Sequence, residues 1–226
     1  MLKLIRLELA KNDIRPYLLA VLGITAAMIG FTYFFAEVPN MEETAEFGTY
    51  LDVILVVSVL SMASFCVLAA VMFSRFVISE YAGKRAILLF SYPIDRRRVL
   101  AAKLVFVCGF VFAGRLISDT VVFGLFNLTE RFAPIVREGV LSDAIRQAAL
   151  LILVEAFLAV AIGLIGLFLG FWRKSVPVAI VAAVVLCCPV SNFGSPALMV
   201  AALAVAAIAA AILLGVLASR VDKMEV

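Results

Sequence analysis

The chain has 226 residues, of which 65% are hydrophobic and 15% charged, and its formal net charge is +3. Mean hydropathy is +1.18, whereas soluble domains run at about 45–50% apolar and about 25% charged. A water-soluble domain, a disordered chain and a collagen-like repeat are all excluded, which leaves a polytopic membrane protein. Histidine is absent. That removes Ser-His and Cys-His catalytic pairs and the His-bearing zinc sites.

In chain order, residues 1–16 form a candidate amphipathic interfacial helix. Leu2, Ile5 and Leu9 fall near one face, and Lys3, Arg6 and Asp13 on another, which suits a helix lying among lipid headgroups. The same stretch also reads as an ordinary basic flank. It is too polar and too long for the lead of a cleaved signal peptide. Pro16 opens the first span, where a missing N–H does least harm.

A spanning helix needs about 20 apolar residues. Six stretches qualify or nearly do: 17–36, 53–78, 99–128, 148–172, 176–190 and 196–218. None alternates with period two, so helices and not barrel strands are expected. The fifth is short, about 23 Å at 1.5 Å per residue, and ends at Pro189. The expected fold class is therefore all-α, a polytopic membrane protein with six transmembrane helices in one domain, residues 1–226. The fourth span carries Ala159, Gly163, Gly166 and Gly170, small residues at four-residue spacing that let helices approach closely. The alanine-rich sixth span predicts tight internal packing. Cys66, Cys108, Cys187 and Cys188 sit in apolar runs with no CxxC pair and read as small hydrophobic side chains.

Basic residues orient the spans. Lys3, Arg6, Lys11 and Arg15 precede the first span. Arg75, Lys84, Arg85, Arg96, Arg97, Arg98 and Lys103 surround the loop after the second. Arg173 and Lys174 follow the fourth, and Arg220 and Lys223 the sixth. The opposite side has Arg131, Arg137 and Arg146, all in an outer loop at 127–147. Both termini are expected in the cytoplasm, which six spans satisfy. Glu37, Glu42, Glu43, Glu46 and Asp52 bracket a first outer loop with no Lys or Arg. The basic excess is thus a membrane asymmetry and gives no sign of nucleic acid.

The cytoplasmic loop at 79–98 carries the most information. Lys84 and Arg85 precede Ile87, Leu88, Leu89 and Phe90, and Tyr92-Pro93 stops the helix they would form. Four large apolar residues in a cytosolic loop need a cover. A short amphipathic helix in a partner's groove is one way to supply it; packing beneath the chain's own bundle is the other. Glu80, Gly83, the Leu88-Leu89 pair, Tyr92-Pro93, the arginines after them and Lys103 resemble the first cytoplasmic loop of the permease subunits of type-two ABC exporters. The six-span count, the cytoplasmic termini and the N-terminal amphipathic helix are also similar to that family. The resemblance implies a coupling helix at about residues 81–92, with Glu80, Gly83, Ile87, Leu88, Leu89, Phe90, Tyr92 and Pro93 docking on a separate ATP-binding subunit. It further implies a second permease subunit, identical or related, in the plasma membrane. No GxxxxGK[ST] motif is present, so the chain is not expected to be an enzyme. It would need no cofactor of its own, and ATP and magnesium would belong to the partner.

Arg115, Asp119 and Glu155 lie inside apolar spans, where charge is expensive. Arg115 and Asp119 are four apart and share a helix face. Arg115 falls about 24 Å from the inner end of its span, and Glu155 about 12 Å from the outer end of its own. The three therefore sit at similar depth and can form one network. Such a network would line the outer part of a path, or it would fix helix packing. An ATP-driven exporter permease is the leading expectation. An ion- or proton-coupled carrier using Glu155 or Asp119, and a non-transporting membrane scaffold, remain as alternatives.

Overall fold

The computed structural model describes residues 13–41, 50–78, 96–132, 142–173, 175–190 and 196–222. All ordered elements among them are helical: α1 Arg15–Met41, α2 Tyr50–Phe73 continued by a π-helical turn Ser74–Ile78, α3 Arg96–Phe132, α4 Ser142–Arg173, α5 Val176–Val190 and α6 Pro196–Asp222. Five of them, α1 to α4 and α6, are long and apolar enough to cross a membrane. α5 has 15 residues and falls short of that length. Residues 1–12, most of the expected interfacial helix, lie outside the described residues. Asp13 and Ile14 are not helical, and the Ile14 carbonyl accepts from Tyr17 N at 3.0 Å and Leu18 N at 3.1 Å. Pro16, having no N–H to satisfy, sits in the first turn of α1 as expected.

The helices overrun their apolar stretches. α3 continues to Phe132 and α4 begins at Ser142, so the segment expected as an outer loop at 127–147 is helical at both ends. Hydropathy marks where lipid stops, whereas Glu, Arg, Gln and Ala in these flanks keep a helix going in water. With 37 residues, α3 is about 56 Å long, well beyond a hydrocarbon core of about 30 Å.

Packing divides the bundle into three apolar levels. At one end Tyr50, Val53, Ile54 and Val57 of α2 meet Met28 and Ala36 of α1, Val122 and Phe126 of α3 and Ala148 of α4. Tyr50 stacks on Phe126 with ring centroids 5.4 Å apart. At the other end Tyr17, Phe73, Phe76, Leu100, Val107, Phe171 and Leu217 share a cluster. The start of α1 and the last turns of α6 thus belong to the same end of the bundle. Between these ends Met62, Cys66, Leu158, Ile162, Ala183 and Cys187 join α2, α4 and α5. Cys66 and Cys187 are buried thiols, packed as the small hydrophobic groups the sequence suggests.

The α4 glycines do what their spacing predicts. A Cβ on Gly163 would lie 2.8 Å from Ala69 Cβ of α2, and one on Gly170 would lie 2.5 Å from Ala179 Cβ of α5 and 2.7 Å from Ile78 Cδ1. Only glycine lets three helices approach so closely here. The sixth span corrects the expectation of tight internal packing. Val205, Ile208 and Ile212 of α6 are more than 60% exposed, and among its described side chains only Met199, Ala210 and Leu217 are buried. Alanine permits close approach along one stripe but gives no reason for the remaining faces to be covered within this chain.

Candidate functional site

Each of three neighbouring helices interrupts its apolar sequence at the same level. In α2 the interruption is Ser58 and Ser61, between Val57 and Met62. In α3 it is Arg115, Ser118 and Asp119, between Val111 and Val122. In α4 it is Glu155, between Leu151 and Leu158. All six polar residues are buried. The i, i+3 spacing in α2 and the i, i+4 spacing in α3 keep the polar groups of each helix on one face.

Arg115 stands at the centre, with 0% of its surface exposed. Its Nε donates to Asp119 Oδ2 at 3.1 Å, and its Nη2 to Glu155 Oε2 at 2.5 Å. Nη2 also donates to the Ser58 carbonyl at 3.1 Å, and Nη1 to the Glu155 carbonyl at 3.3 Å. The remaining carboxylate oxygens take the serines: Ser61 Oγ donates to Asp119 Oδ1 at 2.6 Å, and Ser58 Oγ to Glu155 Oε1 at 3.3 Å. Every carboxylate oxygen and every guanidinium nitrogen is thus bonded. That is what makes a buried charge group tolerable in a low-dielectric setting. The planar fork of arginine suits this arrangement, since it reaches two acids and two backbone carbonyls from one side chain.

Arg115, Asp119 and Glu155 therefore come together as their depths and spacing allow. Ser58 and Ser61 were not singled out from sequence. Their signal is two hydroxyls three residues apart in an otherwise apolar span, facing one way. A neutral contact extends the site to α1, where Thr25 Oγ1 is hydrogen-bonded to Ser118 Oγ at 2.8 Å. Nearer the α2 and α4 starts, an apolar cavity of about 390 Å³ is lined by Ile54, Leu55, Leu151, Val154 and Met199 among others.

One cation faces two carboxylates. The arrangement can hold helices in register, and it can bind a second positive charge or a proton. Among the described residues no group of three or more His, Cys, Asp or Glu side chains is placed to hold a metal ion. The expected partner-docking residues Glu80, Gly83, Ile87, Leu88, Leu89, Phe90, Tyr92 and Pro93 lie outside the described residues. What is described is their setting. The 79–95 segment joins the end of α2 directly to the start of α3, the two helices that contribute Ser58, Ser61, Arg115 and Asp119.

Over 191 residues, 84% of this chain and 84% of the relative, the sequence is 29% identical to a Bacillus subtilis protein described as "Uncharacterized protein YcbO". The likeness covers most of both chains and so is not confined to one helix of this bundle. No protein-family model and no solved structure matches the chain.

Proposed function

We propose that this chain is the membrane permease subunit of an ATP-driven ABC exporter. In this reading it crosses the plasma membrane six times, with α5 as the short fifth span and both termini in the cytoplasm. It pairs with a second permease subunit, and a separate ATP-binding subunit docks on the 79–95 segment. ATP and magnesium belong to that partner; this chain supplies path and coupling. The observation that carries the reading is the connection just described. A push on the segment between α2 and α3 acts on the two helices whose polar groups meet at Arg115, so docking and path share one mechanical unit. The apolar cavity between α2, α4 and α6 offers a place for the greasy part of a cargo.

The test is co-purification. Leu88→Asp and Glu80→Ala should abolish retention of the P-loop ATPase expected to co-purify with the wild-type chain while leaving membrane insertion intact. Unchanged retention counts against the proposal. A second reading, a proton- or ion-coupled carrier, draws support from the excess of carboxylates over cations around Arg115. It expects transport without any ATPase and its loss in Glu155→Gln.

A further inference from the structure

α2 does not end as an ordinary α-helix. Its last five residues, Ser74–Ile78, form a π-helical turn, a wider winding that is locally less favourable and is found mostly at functional positions. Ser74 Oγ is buried in that turn and makes no hydrogen bond to any described residue, which also costs free energy. Something must hold the turn in place.

Part of the hold is packing. The Phe76 ring lies 5.6 Å from the Tyr17 ring of α1 and 5.7 Å from the Phe106 ring of α3, centroid to centroid. Ile78 closes against Gly170 of α4. The other part is polar. Lys103 of α3 is 1% exposed, and its Nζ donates to the Phe76 carbonyl at 3.2 Å. That carbonyl belongs to the π turn, whose wider winding displaces its carbonyls from ordinary α-helical geometry. An ammonium group there supplies a donor.

We infer that Lys103 is a positioning residue. It ties the π turn of α2 to α3 through the Phe76 carbonyl, and so holds in place the turn that precedes the 79–95 segment in sequence. Seven residues separate Lys103 from the start of α3, and the same helix carries Arg115 three turns further on. α2 and α3 are therefore tied at two levels, by Lys103 to Phe76 at the end and by Arg115 and Asp119 to Ser58 and Ser61 within. Between these ties the pair moves as one body. The tie to Phe76 stands by itself; its effect on partner docking rests on the exporter proposal.

Hydrogen–deuterium exchange on the full chain in lipid nanodiscs separates the two. Lys103→Met keeps the apolar stem and removes the charge and donors. Amides 74–78 should exchange at least tenfold faster in it, with those around 115–119 unchanged, and Lys103→Arg should restore slow exchange. Unchanged exchange in Lys103→Met overturns the inference. Co-purification of a P-loop ATPase from native membranes is the second measurement. Retention should fall in Lys103→Met and recover in Lys103→Arg. Faster exchange with undiminished retention overturns the positioning role. If the wild-type chain retains no ATPase while exchange responds as expected, the exporter proposal falls and the tie stands.

Discussion

α3 carries two buried cations, and the chain treats them differently. Lys103, near the start of the helix, meets a backbone carbonyl at the end of α2. Arg115, about three turns on, meets two carboxylates, each also bonded by a serine, and two carbonyls. A flexible ammonium reaches across to a main-chain carbonyl of the π turn. The planar five-donor guanidinium of Arg115 instead gathers two carboxylates and two carbonyls at one point in the middle of the bundle. The geometry of each cation suits the acceptors it meets.

The sharpest way to break the contrast is Arg115→Met, which leaves two acids buried without their cation. It should cost about 3–5 kcal/mol, read as loss of monodisperse protein or a collapsed thermal midpoint in nanodiscs. Arg115→Lys should be milder, because it keeps charge and loses the fork. Replacing the whole group as Arg115→Met, Asp119→Leu and Glu155→Met should restore stability to within about 1.5 kcal/mol of the parent. A parent-like triple variant that no longer transports would assign the network to the path, and one that still transports would make it packing alone.

The other level is challenged next. Gly170→Leu drives a side chain into Ala179 and Ile78, the last residue of the π turn, at an overpacking cost of about 1–3 kcal/mol. Lys103→Met should cost less, about 1–2 kcal/mol, both measured by thermal unfolding. The smallest effect belongs to a neutral contact at the Arg115 level. Thr25→Val removes the bond to Ser118 and should cost about 0.6 kcal/mol, the usual size for a hydroxyl pair between membrane helices. A Thr25→Val loss as large as that of Lys103→Met would contradict the view that charge, and not hydrogen bonding in general, sets the strength of these ties.

Sequence showed Arg115, Asp119 and Glu155 because charge in an apolar span stands out and helical periodicity converts position into depth. It showed the α4 glycines for the same reason: spacing maps directly onto a face. Ser58 and Ser61 were quieter, since a serine bonded to its own helix costs little in a membrane and betrays no partner. Lys103 was visible only as one of many basic residues at the cytoplasmic end and as part of a family-like loop. Its acceptor is a main-chain carbonyl, and main-chain atoms leave no mark in a sequence. The exposed surface of α6 was misjudged because alanine content speaks of how close a neighbour can come, and not of how many neighbours there are.

Arg115 falls near the midpoint of α3, a rod of 37 residues that is longer than a hydrocarbon layer is thick. Three of its hydrogen bonds hold α3 there to α2 and α4. A tilt about that point would carry the Arg98 and Phe132 ends in opposite directions, and α2, fastened to the rod at Lys103 as well, would turn with it against α4.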